Sequence, residues 1–369
     1  MVSFHRPWAS TLLALFSLLC TYRAYGQAVA KVERVGSYDL LFQRKSGWTG
    51  GDADYSVHLG HGRALWLFGD SWIGQIEKGK HVNAKMVNNA IALQRGFKPD
   101  SAALRFYWQN GKKPKAFFRP PEHWYWPLHG IKTDQGIFVF LVKIGKTKDP
   151  SVFGFQTVGS VLAHIDNPEE EPKKWKIKFH ELPFLRLGKL RELLFGASVL
   201  CQGKWIYIYG TDDLKAYGQL KRAVVVARVL KDSLTNFSQW RFWNGIDWKA
   251  SYLLARPLFF EGAKEFSVSY LASLRKYVAI YTHKGMSKKI VARFANHPAG
   301  PFGEQQIVYE CPEMDMKNGV FTYAAKAHPW LSQRENELFI TYTSNCMDFF
   351  QLAKNANLYW PIFLRVRFQ

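Results

Sequence analysis

Two acidic motifs lie close together near the start of the chain, Gly50-Gly51-Asp52 and Phe68-Gly69-Asp70. Between them the sequence alternates, with Asp54, Ser56 and His58 on one face and Ala53, Tyr55, Val57 and Leu59 on the other. Gly60-His61-Gly62 supplies a tight turn, and Leu65-Trp66-Leu67-Phe68 is an apolar run. Alternation, turn and buried run together predict a β-hairpin. A turn centred on His61 sets Asp52 across from Asp70, where opposed Cβ atoms lie about 4.5–5.5 Å apart. Repulsion and partial burial raise the pKa of one member of such a pair. Glycoside hydrolysis uses this division: one protonated carboxyl acts as general acid, and the other is nucleophile or activates water. A separation near ~5–5.5 Å favours retention and one of ~6.5–9.5 Å inversion. The plainer alternative is that each aspartate bonds backbone N–H groups of its own turn. Glu265, heading the apolar strand Phe266-Ser267-Val268, is the third catalytic candidate; its alternative is an ion pair with Lys264 or Lys284.

These residues need a frame that brings them together. Five segments share one layout, a strand with a polar or small start, a turn, then a strongly apolar strand. They begin near Asp52, Trp126, Leu194, Glu265 and Ala324, at intervals of about 60–75 residues. Further strand-like pieces follow each, including Asn88–Gln94, Val161–Ile165, Ala223–Val229 and Ile290–Phe294. A repeated unit of about four strands is a propeller blade. The expected fold is therefore all-β, a five-bladed β-propeller with four-stranded blades around a central channel. Tyr38–Gln43 and Ile362–Phe368 are the expected closing strands, and Phe349–Asn357 a short helical or irregular turn.

In that frame the strand starts meet at one rim. The expected substrate-binding residues are Asp54, Asn88, Asp212, His283, Lys326 and His328. Asp54 shares the face of Asp52 and replaces it if the register slips. Hairpin arithmetic sets Glu192 near Asp212 and Asp213, Glu265 near His283, and Lys326 near Asn345. Lys326 can hold a carboxylate ionised, and His328 can bond a sugar hydroxyl or help hold a cation such as calcium, although no EF-hand loop is present. Trp72, Trp124 and Trp126 can stack on sugar faces or fill core. Concave polar sites lined by aromatics suit a carbohydrate polymer or oligosaccharide. Ser198 lacks the following glycine of a nucleophile elbow, and Gly50-Gly51 lacks the lysine of a phosphate loop.

The 369 residues include 28 Phe, 17 Tyr and 14 Trp, enough apolar surface for a large core. The start reads as a secretory signal over residues 1–26: His5 and Arg6, the apolar Thr11–Cys20, and the small-x-small site Ala24-Tyr25-Gly26. The expected mature chain is one domain, residues 27–369, secreted or periplasmic. No later run approaches the ~20 apolar residues of a membrane helix. Cys201, Cys311 and Cys346 then allow at most one disulfide. The net charge of +21 allows an anionic glycan or surface as partner. The lysines are scattered, however, and no nucleic-acid motif is present.

The order of several stretches resembles a known group. These are Gly50-Gly51-Asp52 with Leu67-Phe68-Gly69-Asp70, Val87–Ala92, Glu265–Val268, Val308–Glu313, Tyr323–Pro329 and Leu358–Pro361. They resemble secreted glycosidase-like five-bladed propellers, the nearest being the bacterial domain-of-unknown-function family that includes endo-D-arabinanases. The resemblance covers roughly residues 45 to 369. It implies a glycoside hydrolase-like protein acting on a glycan of the arabinofuranoside type, with site residues at the Gly-Gly-Asp and Phe-Gly-Asp positions. A carbohydrate-binding propeller without catalysis, or a scaffold for an anionic polymer, are the alternatives.

Overall fold

The computed structural model describes residues 29–150, 154–216 and 219–369. The signal sequence expected over residues 1–26 lies outside them. The protein is all-β, and the described residues form six antiparallel sheets. In five of them the strands follow one another across the sheet in chain order, save one strand brought to the fifth from the other end of the chain and, in the first, two strands that leave for a side sheet. The first comprises Tyr55–Gly60, Arg63–Phe68, Ala90–Arg95 and Ala103–Tyr107. The second comprises Trp124–Thr133, Gly136–Lys146, Phe155–Ile165 and Ile177–Glu181. The third starts with Arg191–Gln202, Trp205–Ala216 and Gln219–Leu230 and adds short outer strands. The fourth comprises Phe266–Leu271, Lys276–Thr282, Lys289–Ala295 and Gln306–Glu310. The fifth comprises Val320–Ala327, Glu337–Cys346, Pro361–Phe368 and, from the other end of the chain, Val29–Arg34.

The apolar runs follow from burial on both faces of each sheet. In Arg63–Phe68, Leu65 and Leu67 pack toward the second sheet, while Trp66 and Phe68 pack toward the fifth. In Gly136–Lys146, Ile137, Val139 and Leu141 face the first sheet, while Phe138 and Phe140 face the third. Separate cores likewise join the third sheet to the fourth, the fourth to the fifth, and the fifth back to the first.

Hydrogen bonds link the innermost strands in the same cyclic order. The ring of His129 takes the Val199 N–H on Nδ1 at 2.9 Å, so its proton sits on Nε2, which donates to the Ser56 carbonyl at 3.2 Å. Ser198 Oγ accepts the Val268 N–H at 2.8 Å, and Ser267 Oγ accepts the Ala327 N–H at 2.7 Å. His328 Nδ1 meets Ser56 Oγ at 2.7 Å. Bulges at residues 128–129, 196–197 and 324–325 interrupt three of the inner strands and re-aim their side chains.

Three expectations change. Tyr38–Gln43 is not a strand: Gly36–Phe42 is helical, and Val29–Arg34 pairs with Pro361–Phe368 instead. The helix puts Tyr38, Asp39 and Phe42 on one buried side, and Asp39 accepts the Phe363 N–H at 2.8 Å and the Arg34 guanidinium N–H at 2.9 Å. Second, Lys326 pairs with Thr341 rather than lying near Asn345, because the ladder closes at Ala327 and Ile340 and the loop between them, with its short helical turn Pro329–Leu331, is centred earlier than the polar turn expected. Third, a three-stranded side sheet, Ser46–Gly51, Ser71–Glu77 and Lys80–Val87, flanks the first sheet. Phe349–Lys354 forms a short helix whose Asp348 carboxylate accepts the Phe350 N–H at 2.8 Å.

Cys201, Cys311 and Cys346 are free thiols. No helix among the described residues is long and apolar enough to cross a membrane.

Candidate active site

The hairpin register holds where it is regular: Tyr55 pairs with Leu67 and His58 with Ala64, and one frame further out Gly51 pairs with Ser71. Between these ladders Ala53 and Asp54 take left-handed backbone, φ 67° and 53°. Two such residues in a row cost roughly 1–2 kcal/mol each, the kind of strain held at working sites. They break the ladder between Asp52 and Tyr55, leaving the Gly69 N–H to Asp52 carbonyl bond at 2.9 Å. The Asp52 carboxylate lies over Gly69, where an added Cβ would come 2.4 Å from its Oδ1. The glycine of Phe-Gly-Asp is therefore the room in which Asp52 sits.

Asp52, Asp70 and Glu265 open onto one cavity of about 810 Å³. Asp52 Oδ2 accepts the Tyr323 hydroxyl at 2.6 Å, and Asn345 donates to that hydroxyl at 3.1 Å. Asp70 Oδ1 accepts the Trp126 indole N–H at 2.8 Å and the Asn88 amide at 3.4 Å. Glu265, with 22% of its side chain exposed, pairs with Lys326 at 3.1 Å. Lys326 itself is 1% exposed, donates to the Ala53 and Ala324 carbonyls, and stands 4.5 Å from the centre of the Tyr55 ring.

Burial is the main force on the aspartates. It drives the Asp52 carboxyl well above the usual range, and the nearby charges of Asp70 and Glu265 push the same way. Asp70 is raised to about 6, again by burial, with the Trp126 and Asn88 hydrogen bonds opposing. Of the two, Asp52 is the member that holds its proton to the higher pH. The site thus sets Asp52, the stronger holder of a proton, beside the carboxyls of Asp70 and Glu265.

The other expected residues fall into three groups. Asn88 reaches the cavity through Asp70. Asp54 and Lys326 lie behind its wall. Asp54 is 1% exposed; its Oδ2 accepts the Thr343 hydroxyl at 2.6 Å, its Oδ1 has no partner, and burial raises it to about 7. Asp212, His283 and His328 do not line the cavity. Asp212 is held bidentately by Arg191, both contacts 2.7 Å. His283 Nδ1 meets Gln305 Oε1 at 3.0 Å. Both ring nitrogens of His328 are taken, by Ser56 and Thr341 at 2.7 Å each, and burial and the Lys326 charge hold it neutral. Glu192, by contrast, lines the cavity, paired with Lys264. Sequence reasoning gave Tyr323 and Asn345 no role; their signal was a place in the Tyr323–Pro329 stretch and near the end of the strand that pairs with it. Among the described residues no group of three or more His, Cys, Asp or Glu is arranged to hold a metal ion.

This chain belongs to the DUF5005 family, a domain of unknown function. The family model matches residues 36–368. No curated protein matches the sequence. Among solved structures, a provisionally named hydrolase from Bacteroides ovatus is 21% identical, with 91% of this chain and 90% of that one covered and a TM-score of 0.72, and so shares the fold. A GH43_1 enzyme from Xanthomonas citri is 12% identical over 92% and 90% of the two chains, TM-score 0.46. The catalytic domain of a GH62 α-L-arabinofuranosidase from Coprinopsis cinerea is 9% identical over 88% and 92%, TM-score 0.43.

Proposed function

We infer that the protein is an exported glycoside hydrolase on a single five-bladed β-propeller domain, residues 27–369, cleaving a glycan in the central cavity. The fold reading rests on five sheets that pack in cyclic order and on the hydrogen-bonded belt through Ser56, His129, Ser198, Ser267 and His328. Export rests on the N-terminal sequence pattern alone.

One observation carries the activity: three carboxyl groups from three parts of the chain open onto one cavity, and burial raises Asp52 further than Asp70. Asp52 is the general acid that protonates the leaving-group oxygen. Glu265, paired with Lys326, is the carboxylate that attacks the anomeric carbon or activates water. Asp70 is the charge that keeps the proton on Asp52. Tyr323 and Trp126 fix the two aspartates by hydrogen bonds. Asn88 orients Asp70, while Asp54 and Lys326 set the field from behind the wall.

The test is product release from a panel of arabinans, xylans, other plant and bacterial glycans, and aryl glycosides, with Asp52→Asn alongside. Turnover lost in the variant supports the assignment. Binding without release from any member would make the cavity a recognition site for carbohydrate, and salt-sensitive capture of anionic polymer alone would move function to the basic surface.

A further inference from the structure

Two stretches of the cavity wall are apolar, although Gln156, Thr157, Thr211, Lys264 and Asn345 also line it. On one flank Val142, Ile144 and Leu194 are buried in a small apolar cluster of their own, joined by Trp126 and Phe155. On the other flank Met347, Phe349 and Leu352 line the cavity, the last two from the short helix Phe349–Lys354. Met286, 43% exposed, stands at its edge. The acids lie between these walls. A sugar ring carries hydroxyls around its rim, and each one turned to an apolar wall gives up its water with no partner in exchange. A polar oligosaccharide filling this volume would leave several so placed. The indole N–H of Trp126, the one polar atom of the first wall's aromatics at the acids, is already committed to Asp70.

We propose that the substrate is a glycoside with an apolar aglycone, alkyl or aryl, whose sugar sits at Asp52, Asp70 and Glu265 and whose apolar part lies along Val142, Ile144, Phe155 and Leu194. The placement of the sugar rests on the hydrolytic reading above; the apolar subsite rests on the wall itself. Met286 extends it to the mouth.

The probes are n-hexyl, n-octyl and n-decyl β-D-glucopyranosides below their micelle-forming concentrations, with glucose as reference, titrated calorimetrically. Affinity rises about fourfold for each buried methylene until the wall is covered. Phe155→Ser flattens that dependence, and so does Met286→Ser, a surface change that leaves the core untouched. Ile246→Ser, at an 86% exposed position outside the cavity wall, leaves it unchanged. Affinity independent of chain length, or a dependence equal in all three variants, overturns the proposal. The two readings fail separately. A chain-length dependence without hydrolysis of any glycan keeps the apolar subsite and sinks the hydrolase. Hydrolysis of polar glycans without that dependence sinks the apolar subsite alone.

Discussion

Asp54→Asn should make the protein more stable, by an amount that grows as pH rises from about 4.5 to above about 7. Asp54 is buried, has one unpartnered oxygen, and has its carboxyl raised to about 7 from an ordinary 3.8. A folded-state pKa above the unfolded one means that the folded chain holds the proton more tightly. Stability is therefore full below about pH 4 and falls as pH rises toward 7, levelling off above it. The full loss is about 3 units at 1.36 kcal/mol each, or about 4 kcal/mol. About 3 kcal/mol of it falls between pH 4.5 and 8.5, because some has accrued by the lower pH. Asparagine keeps the shape and cannot ionise. It exchanges the Thr343 contact for an amide one, a cost on the order of 1 kcal/mol that does not vary with pH. Urea unfolding of both proteins at the two pH values gives the result as a difference of differences, in which the other titrating groups cancel. The variant should gain about 3 kcal/mol relative to the parent on going from pH 4.5 to 8.5. A change below about 1 kcal/mol, or one of opposite sign, would refute the account of Asp54 as a carboxyl forced to ionise without adequate partners.

Lys326→Met removes the ammonium that Glu265 and the Ala53 and Ala324 carbonyls share; a stability loss of about 3–5 kcal/mol is expected in urea unfolding, and a loss under 1 would contradict the ion-pair reading. Trp126→Phe takes a donor from ionised Asp70, so its carboxyl rises above about 6 and the acid limb of the pH–rate profile moves up by on the order of one unit; an unmoved limb would detach Asp70 from the reaction. Gly69→Ala drives a methyl to 2.4 Å from Asp52 Oδ1, and displacement of that carboxyl should lower kcat by about tenfold or more while circular dichroism stays unchanged.

Much of this framework was legible in the sequence because it follows from periodicity. Apolar runs such as Leu65–Phe68 and Ile137–Val142 needed burial on both faces, and sheets stacked in a ring supply it. The hairpin register was legible for Tyr55–His58 because alternation fixes it. The ladder breaks beside Asp52, where Ala53 and Asp54 turn left-handed, although the same pairing resumes at Gly51 and Ser71. Tyr38–Gln43 misled because seven residues are too few for a helical period to stand out; the Tyr38–Phe42 spacing was the only trace. The belt was visible only as a recurrence of Ser or His at like places in five strands. His328 therefore looked like a ligand, whereas its two nitrogens tie strands together. Tyr323 and Trp126 come from different sheets to meet Asp52 and Asp70, and no spacing rule links residues joined only by tertiary packing.

The central claim is that Asp52 delivers the proton that cleaves a glycosidic bond. It is tested most directly by the rate of Asp52→Asn on the glycan most readily cleaved by the parent protein, with the urea unfolding transition measured on the same sample. Loss of a general acid should lower kcat by about 10²–10⁴-fold with the fold intact. A folded variant that turns over at the parental rate would contradict the claim.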